Sequence, residues 1–510
     1  MRRSLLLLGI SFLGSKLFGL IRDILLARYF GAGNSDPTLN LDVYYAAFRI
    51  PDAIYQLLTA GVLSAAFIPL YAERFQKNEA DGNLFAQRVL ALTGYVLTGV
   101  CLVLFIIMPL VVGLLFPHMQ LEHRLFTVDV ARILIISPIF FGITSVISGI
   151  NNVHRAFLGY SLAPIIYNGA AIAGVILFHD SLGIAGVAIS IIVGAVLQLL
   201  IQLPEVFING FTFVRGVKLW GNDIRELIRL SIPRILTLSI QQVALVLEAV
   251  FATALPIGSL TISTYATNIQ YVPIGIIGLS ASVASFGELS LMKAAGNMEA
   301  FRNAIQSRLT MMIFILLPVT IISWLMRYEI VSLLFERGAF THDHVISTGN
   351  VLGVLALGMI PTSCVLFMSR CFFALKNTHT PLRISIVSVV MYLAAAITSI
   401  YLLEIKSAMS LGYSVVIMNI FSMMLFYVFL KKELSHDPLD LKELSKALVA
   451  TVIAFAIAMI IRNNWPIESS KISLIGELTI VTIGAFASHF IVLKITGSRY
   501  LKKILTLKNR

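Results

Sequence analysis

About fourteen apolar segments, each long enough to cross a bilayer as a helix, follow one another along this chain of 510 residues. In lipid, only helices and closed barrels satisfy every backbone polar group. The sequence is 58% hydrophobic and 13% charged, with a mean hydropathy of +0.90, which excludes a soluble globular enzyme. We therefore predict an all-α polytopic membrane protein. The expected spans are 4–30, 41–70, 89–115, 128–150, 160–179, 183–204, 226–252, 260–290, 305–326, 345–370, 381–403, 408–430, 443–461 and 473–495.

The positions of the basic residues predict the orientation of these spans. About two thirds of the 38 Lys and Arg lie in the N-terminus, the even-numbered loops and the C-terminal tail. Because cytoplasmic loops are enriched in Lys and Arg, we expect both termini in the cytoplasm, which requires an even number of spans. The net charge of +12 reflects this topology, and we expect no nucleic-acid partner.

A weak internal duplication divides the chain. Several short matches keep an offset of about 218 residues, among them Pro164 with Pro381. Six spans per repeat make the halves parallel, and transporters of this build bind their substrate between the halves, near the bilayer midplane. We predict an N-lobe at 1–218 and a C-lobe at 219–436 around a central cavity. A C-terminal helix pair and a basic tail are expected at 437–510.

Charged residues lie inside the first two predicted spans, where an unpaired charge costs roughly 2.5–3.5 kcal/mol. Residues seven apart return to the same face of a helix. We therefore expect Lys16 to pair with Asp23, and Asp42 with Arg49. Arg22 has no evident partner in this pattern and is the best candidate for direct contact with an anion. The alternative is that these residues form ion pairs that only fix helix packing.

The seventh span, which begins the second repeat, has a polar stripe with the same spacing. Arg234, Gln241 and Glu248 are each seven residues apart, and Gln242 lies beside them. We interpret this stripe as the facing wall of a polar cavity. Arg234 lies near the end of its span, so it is either a headgroup anchor or a substrate contact.

Helix-breaking residues interrupt two spans at similar places. Pro51 and Gly61 lie in the second span, and Pro273 and Gly275 in the eighth. Such residues bend or unwind spanning helices where the backbone is packed or faces water. We predict a break in each of these spans.

Motifs for enzymatic or metal chemistry are missing from the sequence. It contains no GxxxxGK[ST] phosphate loop and no HExxH, and its three cysteines form no CxxC pair. His342-Asp343-His344 is either a metal-binding tripeptide or a solvated loop. We expect no enzymatic activity and no cofactor or metal, apart from a coupling Na⁺ or H⁺ at one of the acidic residues above.

Several motifs resemble the MurJ/MviN lipid II flippases of the multidrug/oligosaccharidyl-lipid/polysaccharide exporter superfamily. This resemblance covers nearly the whole chain. The motifs are Gly19-Leu20-Ile21-Arg22-Asp23, Phe30-Gly31-Ala32-Gly33, Phe48-Arg49-Ile50-Pro51, Ala66-Phe67-Ile68-Pro69, Phe335-Glu336-Arg337-Gly338-Ala339-Phe340 and the run from Phe373 to Pro381.

The resemblance implies two six-helix lobes around a basic cavity, with a groove for a lipid tail at the last two spans. The cargo would be the undecaprenyl-diphosphate-linked peptidoglycan precursor, moved outward across the bacterial inner membrane by alternating access. The membrane potential or an ion gradient would drive it, and the protein would act as a monomer among membrane lipids. The resulting substrate-binding set is Lys16, Arg22, Asp23, Asp42, Arg49, Gln241, Glu248 and Asn268, with Arg234 and Gln242 as further candidates.

The chain departs from the family pattern where the family has arginines. Tyr55, Gln56 and Asn268 occupy those positions. Two transport alternatives therefore stay open: a flippase for another polyprenyl-linked oligosaccharide, and a cation-coupled multidrug antiporter. A drug exporter would be expected to have an acidic or aromatic cavity, whereas the first lobe has an excess of cations, four of them in the first two spans. A non-transporting scaffold is the remaining alternative, and it would not need charges inside the membrane.

Overall fold

The computed structural model describes residues 2–60, 66–211, 218–465 and 471–501. Within these ranges it does not describe the side chains of 2–10, 12, 13, 59, 60, 233, 234, 236–238 and 241. Within these limits every regular element is helical, which confirms the predicted all-α membrane fold. The α-helices are α1 (Arg2–Phe30), α2 (Leu41–Tyr55), α3 (Ile68–Lys77), α4 (Glu79–Leu115), α5 (Leu121–Leu134), α6 (Ser137–Val153), α7 (Leu158–Phe178), α8 (Gly183–Leu200), α9 (Leu203–Ile208), α10 (Asn222–Ala252), α11 (Ser259–Pro273), α12 (Ser280–Ala294), α13 (Met298–Leu325), α14 (Arg327–Phe335), α15 (His342–Leu357), α16 (Met359–Ala374), α17 (His379–Ile397), α18 (Met409–Leu434), α19 (Leu441–Asn463) and α20 (Lys471–Ile495).

Most of these helices are suited to a membrane. In the described ranges, ten helical stretches are long and apolar enough to span it, or eleven if α15 and α16, which meet at 45°, form one span. These eleven coincide with predicted spans. The other three predicted spans correspond to α1, α2 and α10, the helices with the charged stripes. The count of fourteen stays a prediction.

One compact unit contains Met1–Thr261 together with Arg337–Phe340. Within it α7 packs along α1 and α8, α2 along α5, and α4 along α3 and α6. Its aromatic core includes Phe67 and Phe85 and extends to Ile224 in the first turn of α10. α10 therefore packs in this unit, although it begins the second sequence repeat.

Ion pairs hold the N-terminal end of α10 in this unit. Arg88 Nη1 on α4 lies 2.7 Å from Asp223 Oδ2, and Arg74 Nη2 on α3 lies 3.2 Å from Glu226 Oε2. The Asp223 side chain is only 7% exposed, so its pair is the more strongly desolvated of the two. The division of the chain at residues 218 and 436 stays a prediction.

The other compact unit contains Ile262–Glu336 and Thr341–Arg510. There α19 packs along α20 and α13, α17 along α18, and α16 along α12 and α18. Buried side chains from α13, α16 and α18, including Phe314, Phe367 and Phe426, form its main core. The C-terminal pair α19–α20, which has no counterpart in the repeat, is thus built into this unit.

The second and eighth spans are distorted at the predicted places, although Ser259–Ala294 stays one continuous helical stretch. Pro51 lies in α2, and a π-helical segment (Gln56–Ala60) follows that helix. Pro273 ends α11, and a second π segment (Ile274–Leu279) follows at once. Proline removes one backbone donor, and π turns are frequent at functional sites in membrane and soluble helices. Gly61 lies outside the described residues. A third π segment (Thr398–Leu402) ends the span of α17.

The tripeptide His342-Asp343-His344 forms the first turn of α15. His342 Nδ1 lies 3.0 Å from Glu336 Oε1, and His344 Nδ1 accepts a hydrogen bond of 3.1 Å from the Thr341 amide. Both imidazoles therefore have local partners at the start of the helix. Among the described residues, no group of three potential metal ligands comes together.

Candidate functional site

Arg22, on α1, lies at the centre of a polar cluster in the first compact unit. Its Nε and Nη2 donate to Asp23 Oδ1 over 3.1 and 2.8 Å, and its Nη1 donates to Asn168 Oδ1 of α7 over 3.3 Å. The expectation that Arg22 lacks a partner was therefore wrong. Neighbouring residues on a helix seldom face each other, but the long arginine side chain folds back because a guanidinium in a membrane requires a counter-charge.

The hydrogen bonds of Arg22 determine what else it can bind. A guanidinium has five N–H groups. Among the described residues, Arg22 uses three of them, which leaves one on each Nη atom. Its side chain is 23% exposed, so these donors are not sealed inside the protein. Two N–H groups on one planar cation can hold two oxygens of a phosphate group.

Asn168 orients this cation and was missed by sequence reasoning. Its Nδ2 donates to the Pro164 carbonyl four residues earlier over 2.9 Å, which directs its Oδ1 at Arg22. The side chain is buried, with 8% exposure. In the sequence, Asn168 is the single amide residue of the apolar fifth span. Nothing in the neighbouring sequence indicates that it contacts Arg22, 146 positions away.

Asp42 binds the start of α11 instead of Arg49. Its carboxylate accepts hydrogen bonds from the Gly258 amide (2.6 Å), the Thr261 amide (2.8 Å) and the Thr261 hydroxyl (2.6 Å). Backbone N–H groups at a helix N-terminus stabilise a negative charge. The predicted pairing of Asp42 with Arg49 was therefore wrong, since the described residues include no ion pair between them. Asp42 instead contacts Thr261, 219 residues further along the chain.

Arg49 lies about two turns before the π segment of the second span. It is half-buried and interacts electrostatically with Asp52 on the same helix. Asp52 in turn is hydrogen-bonded to Gln56, the first residue of the π segment. The Nε of Arg49 is shielded from solvent and has no hydrogen-bond partner among the described groups. Arg49 therefore has donor capacity that its protein neighbours do not use.

The remaining predicted site residues are spread over both units. Lys16 is exposed on α1, and its predicted pairing with Asp23 stays a prediction. Glu248 is buried and Gln242 half-buried on α10. Asn268 is exposed on α11 in the second unit. The side chains of Arg234 and Gln241 lie outside the described residues. The structure thus brings Arg22, Asp23 and Asn168 together, and it separates Asp42 from Arg49.

Aromatic side chains occupy the positions beside this cluster. Tyr44 of α2 and Tyr167 of α7 lie close enough to Arg22 to interact with its charge. Tyr55, which stands where the resembling family has an arginine, has its hydroxyl 3.1 Å from that of Ser145 on α6. These hydroxyls are polar without adding charge, and both Arg22 and Arg49 have N–H groups that no described residue accepts from.

Curated relatives of the chain are lipid II flippases by name. It is 26% identical over 502 residues to the probable lipid II flippase MurJ of Rhizobium tropici, covering 95% of this chain and 92% of that protein. It is 23% identical to the probable lipid II flippase MurJ of Rickettsia prowazekii, covering 100% and 99%. The match to each therefore extends over nearly the full length of both proteins.

Solved structures share the fold. A structure of lipid II flippase MurJ in an inward closed conformation superposes with a TM-score of 0.82 at 19% identity, covering 96% of this chain and 99% of that one. An inward-facing multidrug resistance MATE family transporter gives 0.71 at 16% identity, covering 82% and 94%. Exporters with different cargoes thus share this architecture. The model of the family "Lipid II flippase MurJ" matches residues 26–475, and the chain belongs to that family.

Proposed function

We propose that this protein is a lipid II flippase, which moves the undecaprenyl-diphosphate-linked precursor of peptidoglycan from the inner to the outer leaflet. Family membership over residues 26–475 supports this cargo. The observation that carries the proposal is the guanidinium of Arg22, held by Asp23 and Asn168 with one N–H on each Nη unused. Such a pair of donors fits the anionic diphosphate that the precursor contains.

In this proposal the diphosphate is bound by cations that the protein has already oriented. Asp23 and Asn168 fix the plane of Arg22, so little side-chain entropy is lost when a phosphate binds. Arg49 and Lys16 supply further positive charge. Asp42 has a structural role in this proposal. Its carboxylate already accepts three hydrogen bonds from Gly258 and Thr261 and so stabilises the start of α11.

The driving force in this proposal is the membrane potential. Moving one charge through the field is worth about 2.3 kcal/mol per 100 mV. A diphosphate with two negative charges would gain about 4–5 kcal/mol per 100 mV on leaving a negative interior. We therefore propose a monomeric transporter without enzymatic activity or a cofactor, with both termini in the cytoplasm. A coupling Na⁺ or H⁺ would add to this force.

Rescue of cells depleted of their own lipid II flippase tests the proposal. Expression of this chain should restore growth and the accessibility of lipid II at the outer face, and Arg22→Ala at equal expression should not. A well-expressed wild-type chain that fails to restore lipid II at the outer face refutes the assignment. Parallel rescue of cells that lack an O-antigen-unit flippase tests the nearest alternative, and success there alone would transfer the proposal to that cargo.

A further inference from the structure

Three charged side chains meet where the C-terminal helix pair contacts α14. Arg462, at the end of α19, has its Nη2 2.6 Å from Glu329 Oε1 in the first turn of α14. The Nε of the same guanidinium lies 4.0 Å from Glu477 Oε1 on α20. All three residues belong to the second compact unit and are separate from the Arg22 cluster. We call Glu329, Arg462 and Glu477 the C-terminal triad.

The C-terminal triad has one negative charge too many. One guanidinium faces two carboxylates whose side chains are each 15% exposed. Glu329 Oε2 is shielded from solvent and has no hydrogen-bond partner among the described groups. A desolvated anionic oxygen without a partner is costly, and two neighbouring carboxylates disfavour each other's ionisation.

In the described part of the second unit, two other cations on α14 and α20 have partners of their own. The part of α13 that follows Arg308 carries no charged residue before Arg327. Arg327 donates from Nη1 to the Trp324 carbonyl and from Nη2 to the Tyr328 hydroxyl. Lys471, on the same helix as Glu477, directs its Nζ at the Glu336 carbonyl over 3.4 Å.

An apolar core adjoins the triad. Met326 at the end of α13 packs with Ala458 of α19 and with Val481 and Ala485 of α20, all fully buried. Glu477 lies one helical turn before Val481. The triad is therefore the polar edge of the interface that fixes α19 and α20 to α13 and α14, and its charge acts directly on that interface.

We propose that the C-terminal triad is a proton-binding site. One proton adds to a carboxylate oxygen of the Glu329–Glu477 pair, makes the triad neutral and strengthens the attachment of the C-terminal helix pair to α14. The proton comes from water and returns to it, so no other reactant is needed. Loss of the proton restores the repulsion between the two carboxylates and weakens the attachment. This site is independent of the identity of the cargo.

Infrared titration of the full chain in lipid nanodiscs tests this proposal. The wild type should have a protonated-carboxyl band that persists to a higher pH than the carboxyl bands of either glutamine variant. Glu477→Gln and Glu329→Gln should each abolish this band, because one carboxylate beside Arg462 stays ionised. Glu404→Gln, at an exposed loop carboxylate, is the matched control and should retain it.

Thermal unfolding of the same proteins gives an independent measurement. Because the folded wild type would bind this proton more tightly than the unfolded chain, its stability relative to Glu477→Gln should be greatest below about pH 4.3, the usual glutamate pKa, and fall as the pH rises above it. A band that survives in both glutamine variants, or parallel stability curves for wild type and Glu477→Gln, would overturn the proposal. Both variants leave Arg462 with one carboxylate, so neither creates an unpaired buried charge.

Discussion

Replacing Arg22 by lysine separates the charge of this residue from its geometry. The guanidinium donates three hydrogen bonds, two to Asp23 and one to Asn168, and keeps one N–H on each Nη. A lysine ammonium is a point charge with three donors and no planar fork. Arg22→Lys therefore preserves the charge, but it cannot satisfy Asp23, Asn168 and two phosphate oxygens at once.

The expected loss of lipid II affinity is that of one hydrogen bond, because a lysine ammonium has three donors for four acceptors. A hydrogen bond to a charged group contributes about 1.5–3 kcal/mol, and every 1.4 kcal/mol is a factor of about ten. Arg22→Lys should thus weaken lipid II binding by roughly 10- to 150-fold. Asn168→Ala removes a bond that orients Nη1 but leaves the two unused N–H groups of Arg22, so its effect should be smaller than that of Arg22→Lys, about tenfold or less.

The assay is the initial rate of lipid II exposure at the outer face of reconstituted vesicles, measured over a range of lipid II densities. If Arg22→Lys weakens lipid II binding equally in the ground state and the transition state, the half-saturating lipid II density rises and the maximal rate is unchanged. Arg28→Lys is the control, because Arg28 is exposed at the end of α1 and lies 5.6 Å from the ring of Tyr29. Wild-type densities and rates in Arg22→Lys would refute the proposed phosphate contact.

Three further perturbations test the architecture by unfolding in detergent. Asp42→Ala leaves three donors without an acceptor and should lower the free energy of unfolding by about 3–5 kcal/mol, whereas Asp180→Ala, at a side chain 91% exposed, should change it little. Gly33 has a φ of +86°, and a Cβ there would lie 2.8 Å from a carbonyl oxygen, so Gly33→Ala should cost at least about 1 kcal/mol. Gly113→Ala, in the last turn of α4 with no atom within 4 Å of the added Cβ, should be neutral or slightly stabilising. Burial would raise the pKa of Asp437, but three hydrogen bonds lower it overall, so the wild type should lose stability relative to Asp437→Asn as the pH falls below about 4.

The apolar spans and their breaks were predictable because each depends on a local run of residues. Hydropathy located α4 and α13, and proline located the π segments after α2 and α11. That these breaks are π turns was not predictable, since the extra residue is accommodated by packing rather than by composition. Arg22 and Asp23, both candidates from the sequence, are hydrogen-bonded to each other in the structure, and their role in binding stays a prediction.

The partners of the charged residues could not be read from helical spacing. A period of seven places Asp42 and Arg49 on one face of α2, but Asp42 lies in the first turn and can reach Gly258 and Thr261 of another segment. Asn168 likewise reaches Arg22 from a helix far along the chain. Spacing predicts which side chains share a face, whereas the tertiary fold decides which of them meet.

The π segments also control the rotational phase of the helices around them. An α-helix advances about 100° per residue, and each π turn accommodates one extra residue. A side chain after the π turn therefore lies on the helix face that the residue before it in the sequence would occupy in an uninterrupted α-helix. The segments begin at Gln56 and Ile274, at corresponding places in the two repeats. A single-residue deletion in either segment would therefore remove the extra residue and leave the following span facing the same neighbours, whereas the same deletion in a regular stretch of α-helix would turn everything after it by about 100°.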